Sequence, residues 1–218
     1  MASERWYKFN FRIKWPDDNQ PKTWIDFMIA DTIVRNVIDS KKSNIKCWGL
    51  HRRWPPDDIG HEFTAQLYIS KETSDEIDNL VMNNRMFRLI RDELEYTVEC
   101  NKSTEFSVIT DKYWPISIQE SWPWFIQGIC ETLLRMITCT KKNTLQTYSM
   151  QELPREKSNL EDLYKEIENE INKIWTKEGY WPFLHHLNAI FGYTPIQVDT
   201  EQYVGPIIFC KSQSNSSI

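Results

Sequence analysis

Only six of 218 residues are glycine. None lies in a GxGxxG or Walker-type run, so the backbone cradle that nucleotide chemistry needs is missing. GxSxG is absent too. The five cysteines, at 47, 100, 130, 139 and 210, are odd in number, widely spaced and without a CxxC pair. They fit small buried hydrophobes in a reducing compartment better than a disulfide framework or a zinc site. A Cys/His nucleophile has no flanking signature in its favour. Four histidines without an HxxxH or HxH pair are a poor ligand set, so no metal is expected. No apolar run reaches the ~18–20 residues of a membrane span, and residues 1–15 alternate charges with aromatics rather than building a secretory signal. A cytoplasmic protein away from membranes is the expectation. Positive charge is in deficit, with a net −5, so no general nucleic-acid surface is expected, although a local basic patch stays open.

What is present is an ordinary globular balance, 40% hydrophobic and 26% charged, with ten tryptophans as the exception. Tryptophan serves apolar surfaces that also need a donor, in cores and in binding grooves alike. The length suits one domain over residues 1–210, with an internal seam near 151–157 and a frayed polar tail at 211–218.

Period-two and period-3.6 patterns order the elements. Residues 6–13 alternate Tyr7, Phe9, Phe11 and Ile13 with Lys8, Asn10 and Arg12, a first strand. Thr23 stands ready to cap a helix from 24 to about 38. Residues 47–70 read as a hairpin in the middle of the sheet, its turn stiffened by Pro55-Pro56-Asp57-Asp58. In the second strand Phe63, Ala65, Leu67 and Ile69 alternate with Thr64, Gln66, Tyr68 and Ser70. Thr73 and Glu76 form a capping box before the next helix. A short helix at 86–94 and strands at 96–98 and 106–109 follow. Ser121 and Pro123 mark the start of an apolar helix to about 138, and Ser158 with Glu161 the start of a strongly amphipathic one ending at Gly179. A last helix spans 181–191, and 204–210 returns as a strand. The predicted fold is α+β, an antiparallel sheet with helices packed on one side and a helical C-terminal half.

Three groups could carry chemistry. His51, Arg52, Arg53, Asp57, Asp58 and His61 gather at one end of the hairpin. Guanidinium forks hold carboxylates or phosphates, and an imidazole beside them moves protons near neutral pH. Alternatively the arginines pair with the turn acids and His61 caps a strand. His185 and His186 point about 100° apart on a helix, so one of them at most faces a site. Trp114-Pro115, Trp122-Pro123-Trp124 and Trp181-Pro182 are rigid aromatic walls for a peptide or flat ring, or equally good core corners.

The opening aromatic strand, the long helix and then CWGLHRRWPPDDIGHEF resemble the C-terminal domain of lantibiotic dehydratases, also found as free-standing thiopeptide-type bacteriocin biosynthesis proteins. Arg53-Trp54 stands where that family has Arg-Tyr, Asp57 or Asp58 for its turn acid, and Gly60-His61 for its hairpin histidine. FLHHLNAIFG stands for its late helix, with His185 or His186 in the histidine's place. The resemblance implies maturation of a modified precursor peptide by lyase- or cyclase-type chemistry, without metal, nucleotide or organic cofactor. Arg53, His61 and His186 would then be catalytic. His51, Arg52, Trp54 and Asp58 would contact a peptide or small anionic substrate, as would Tyr68, Trp122, Trp124 and His185. A homodimer or a partner biosynthetic enzyme would fit the same reading. The alternatives are a non-catalytic peptide- or protein-binding module of this fold and a cofactor-free hydrolase or cyclase.

Overall fold

The strand β1 (Arg5–Ile13) turns Tyr7, Phe9, Phe11 and Ile13 to one face, as its alternation predicts, and all four are buried. The computed structural model that shows this describes residues 3–14, 21–53, 60–147, 152–179 and 190. After β1 a single helical run is interrupted once. It consists of α1 (Trp24–Ile29), a π-helical turn (Ala30–Val34) and α2 (Arg35–Lys41). Strands β2 (Cys47–Arg53) and β3 (His61–Ile69) form the expected hairpin. Helices α3 (Lys71–Asn83) and α4 (Arg85–Ile90) lead to β4 (Leu94–Cys100). The long α5 (Ile116–Thr147) and α6 (Lys157–Ile174) follow.

The four strands are antiparallel in the order β2-β3-β1-β4. Together with the chain order strand–helix–strand–strand–helix–strand this is the split β-α-β arrangement, an α+β fold. β2 therefore lies at an edge rather than in the middle. The chain divides into two compact units, Met1–Ile174 and Trp175–Ile218. The second is described for one π-helical turn, Trp175–Gly179, and for Ile190.

Register sorts the side chains. The inner face carries Phe9, Phe11, Phe63, Ala65, Leu67, Trp48 and Tyr96. Against it pack Ile25, Met28 and Ile29 of α1, Ile77 and Val81 of α3 and Phe87 of α4. Phe11 sits at the centre, its ring 5.1 Å from Tyr96, 6.2 Å from Phe63 and 6.4 Å from Phe87. Burying rings of this size is the main stabilising term of such a core, roughly 1.5–3 kcal/mol per side chain. The exposed edge of β2 is closed by α5: the Trp48 amide donates to Gln127 Oε1 at 3.3 Å and the Leu50 amide to Cys130 Sγ at 3.2 Å. An edge so covered cannot template pairing with another chain. Gly49 allows the approach, since a Cβ there would lie 3.0 Å from Ile126 Cγ2.

Four boundaries differ from expectation for identifiable reasons. Ser70, not Thr73, caps α3, its hydroxyl accepting from the Thr73 amide at 3.2 Å. Residues Phe106–Ile109 form a 3₁₀ turn, held by the Trp6 indole donating to the Phe106 carbonyl at 2.7 Å. α5 begins two turns before Pro123, directly after Pro115, whose carbonyl accepts from Ile118 and Gln119. The start signal belongs to Pro115, and Pro123 is buried inside the helix. Thr23 does not cap α1; its side chain is engaged elsewhere, as described below. Cys47 and Cys130 are buried, but Cys100 and Cys139 are exposed, and all four are free thiols. Among the described residues no helix is long and apolar enough to cross a membrane. The proposed helix at 181–191 lies outside the described residues but for Ile190, and the proposed strand at 204–210 wholly so.

Candidate functional site

The polar group at the end of the sheet is built by three elements. Gly60, at φ 71°, takes the left-handed turn conformation that favours glycine and delivers His61 to the first position of β3. Register turns His61 and Arg52 to the inner face, where the first turn of α1 presents Asp26. His61 Nε2 lies 2.8 Å from Asp26 Oδ1, and Arg52 Nε donates to Asp26 Oδ2, also at 2.8 Å. His61 and Asp26 are each 1% exposed. The Arg52 guanidinium rests on the Phe27 ring, 4.6 Å from its centroid, and reaches α6 through Glu168 Oε1 at 3.7 Å. The Thr23 hydroxyl donates to Glu168 as well. One buried carboxylate thus joins strand, strand and helix, and Arg52 links that knot to α6.

Burial pushes the Glu168 carboxyl above its ordinary pKa, and the Thr23 hydrogen bond and the Arg52 charge only partly offset it. Asp26 adds to the rise, while His61 opposes it. The folded protein therefore holds a proton here that the unfolded chain has released. Stability is highest below the ordinary glutamate range and falls as pH rises through the window up to the raised value. Glu168→Gln is expected to flatten that acid-side slope in urea midpoints measured from about pH 4 to pH 7. An unchanged slope would show that Glu168 ionises without cost.

The expected convergence of Arg53 and His61 on one open cavity does not occur. Arg53 pairs with Glu62 on the outer face, opposite His61, and His61 is sealed behind packed side chains. Adjacent strand residues point to opposite faces, so only one of Arg52 and Arg53 could share a face with His61, and it is Arg52. His51 is exposed on the outer face. The Tyr68 ring is on the same face but half-buried against Trp6 and Phe106, and its hydroxyl donates to the Thr104 carbonyl at 2.9 Å. Trp122 is half-buried against Trp114 and Phe125, at 4.8 and 5.5 Å between centroids. Trp124 touches Phe106 at 5.3 Å and is otherwise exposed. Trp54, Asp57, Asp58, His185 and His186 lie outside the described residues.

A second feature was not foreseen. Between α2 and α5 runs a groove of about 720 Å³. Its lining includes apolar Ile38, Ile45, Trp48 and Leu134, with Arg35, Lys42 and Arg135 set among Asp39 and Glu131. Trp48 is itself buried, so its ring is part of the core and of the groove floor at once. No family model, curated protein or solved structure matches this chain. Among the described residues no group of three or more His, Cys, Asp or Glu could hold a metal.

The chemistry available follows from access. A histidine with both neighbours of its ring walled in cannot exchange protons with a guest. Its Nδ1 has no hydrogen-bond partner among the described residues, a cost accepted in a knot that ties strands to helix. The groove, by contrast, is open and has the size of a ligand site.

Proposed function

We propose that this protein is a binding module for a peptide segment or partner protein, which it grips in the groove between α2 and α5. The groove itself carries the reading: about 720 Å³ of open space with a tryptophan in its floor and both signs of charge around it. Apolar side chains of a bound segment would bury against Ile38, Trp48 and Leu134, while basic and acidic side chains would pair with Glu131 or Asp39 and with Lys42 or Arg135. Such mixed rims confer register and specificity more than affinity. A displayed peptide library provides the test. Peptides enriched on the native protein should lose at least about tenfold in affinity for Thr138→Trp, which fills the groove from an exposed position on α5, roughly the 1.4 kcal/mol of one lost anchor. Equal binding to both proteins, or no enrichment at all, would end this reading.

A second reading is maturation of a modified precursor peptide by lyase- or cyclase-type chemistry. It draws on one observation: Arg52 and Glu168, with side chains 23% and 15% exposed, reach from the buried Asp26–His61 pair toward solvent. Arg52 would then steady developing negative charge, and Glu168, its pKa raised, would carry the proton.

A further inference from the structure

The side of α5 away from the groove bears a separate pattern. Ile118, Trp122, Phe125 and Ile129 recur at spacings of four, three and four, so they form one stripe along the helix. Ile118, Phe125 and Ile129 are 44%, 39% and 42% exposed. Partly buried Leu133 and Met136 continue the stripe, and beyond them Thr140 and Thr144 lie on the same side. There α6 lies alongside, its Glu166, Glu170 and Ile174 facing Thr140, Asn143, Thr144 and Thr147 across a cleft of about 240 Å³. The face that meets α6 over the last turns of α5 thus runs on uncovered over the first ones.

We propose that a second copy of this chain covers it, the two α5 helices pairing antiparallel about a twofold axis through their first halves. Three observations select this occupant. The spacing is the seam pattern by which helices interlock, and a twofold axis between Trp122 and Phe125 sets Ile118 opposite Ile129 of the other copy and Trp122 opposite its Phe125. Residues 113–129 carry a single charge, Glu120, in a chain that is 26% charged. A copy of the same stretch meets almost no like charge there, and a charged peptide would find nothing to pair with. Third, the stripe continues the seam that already takes a helix within this chain. The exposed parts of these side chains amount to a few hundred Å² per copy, below the ~800 Å² per partner of a standard interface. The dimer is accordingly weak and dissociates on dilution. It leaves the groove free, since the two features lie on different sides of α5.

Sedimentation velocity from about 1 μM to about 500 μM tests this over the range in which a small interface of that size dissociates. The native protein should move from monomer to dimer, and Phe125→Glu should stay monomeric throughout. Ile118→Glu and Ile129→Lys should each be monomeric alone and form a heterodimer when mixed, because the antiparallel pairing sets the new acid against the new base. That rescue separates a lost interface from a damaged fold. A native protein that stays monomeric at every concentration overturns the proposal and leaves the stripe to a foreign helix. A dimer that survives Phe125→Glu overturns it as well.

Discussion

Replacing Asp26 by alanine is expected to cost about 3–5 kcal/mol of stability, the largest effect of any single change in the sheet-end knot. The carboxylate accepts from Arg52 on one oxygen and meets His61 on the other, both at 2.8 Å, in a site with essentially no access to water. Arg52 retains Glu168 and some solvent, so it can adjust. His61 cannot, and an imidazole stripped of its partner in a dry site bears the full desolvation cost. For a protein of this size the loss corresponds to a fall in Tm of about 6–20 °C. Urea unfolding followed by tryptophan fluorescence measures it directly. Asp26→Asn is the informative companion. An amide keeps the shape of the site and an acceptor for Arg52 but removes the charge, so the gap between the two variants measures how much of the knot rests on charge rather than on hydrogen bonding. The same variants separate the two functional readings. If the knot is a tether, stability and binding fall together in Asp26→Ala, and Arg52→Lys changes little else. If Arg52 acts on a substrate, Arg52→Lys loses turnover of a modified precursor peptide at near-native stability, because an ammonium cannot reproduce the guanidinium fork.

Alternation and turn chemistry made the sheet readable before any coordinates. The inward set Tyr7, Phe9, Phe11 and Ile13, and the matching Phe63, Ala65, Leu67 and Ile69, are the buried faces of β1 and β3. Strand order was beyond that logic, since local pattern does not say which neighbour a strand pairs with. That is why β2 was expected at the centre and stands at the edge. Pro123 misled for a related reason: proline opens helices more often than it sits inside them, and here it lies buried within α5 while Pro115 stands at the start. At the site, the sequence named Arg52 and His61 but missed their partner. Asp26 lies in an apolar run, Trp24-Ile25-Asp26-Phe27-Met28, and a lone acid in such a run signals a buried pair. Glu168 stands on a helix crowded with acids, and nothing local distinguishes it from Glu166 or Glu170. The groove could not be read at all, because its two walls lie some 90 residues apart in the chain.

Asp31 provides the second large prediction, and it tests what holds the helical layer to the sheet. It sits in the π-helical turn, its side chain fully buried, where Lys141 of α5 approaches Oδ2 at 2.5 Å and the Tyr164 hydroxyl of α6 donates to the same oxygen at 2.7 Å. Arg35 Nε stands 3.5 Å from the other oxygen, and the same guanidinium donates to the Leu134 carbonyl of α5. Widened turns of this kind often mark places where a helix accommodates a demanding side chain. Burial, and then the neighbouring carboxylate, push the Tyr164 phenol well above its usual range, so it stays a donor at every working pH. Asp31→Leu should therefore cost about 3–5 kcal/mol, chiefly because the buried Tyr164 hydroxyl loses its acceptor, while Lys141, its side chain 21% exposed, loses its counter-ion at the edge of the core. Tyr164→Phe should cost less, about 1.5–3 kcal/mol, because Lys141 still neutralises the acid. The triple variant Asp31→Leu, Lys141→Met, Tyr164→Phe should recover most of the loss, since a well-packed apolar set of similar volume has no charge to desolvate. That non-additivity is the decisive quantity, measured as urea midpoints across the series. Single losses that merely sum in the triple variant would mean that the three side chains act independently. In that case apolar packing of Leu160, Leu163, Ile167 and Ile171, rather than the buried acid, would be what anchors α6.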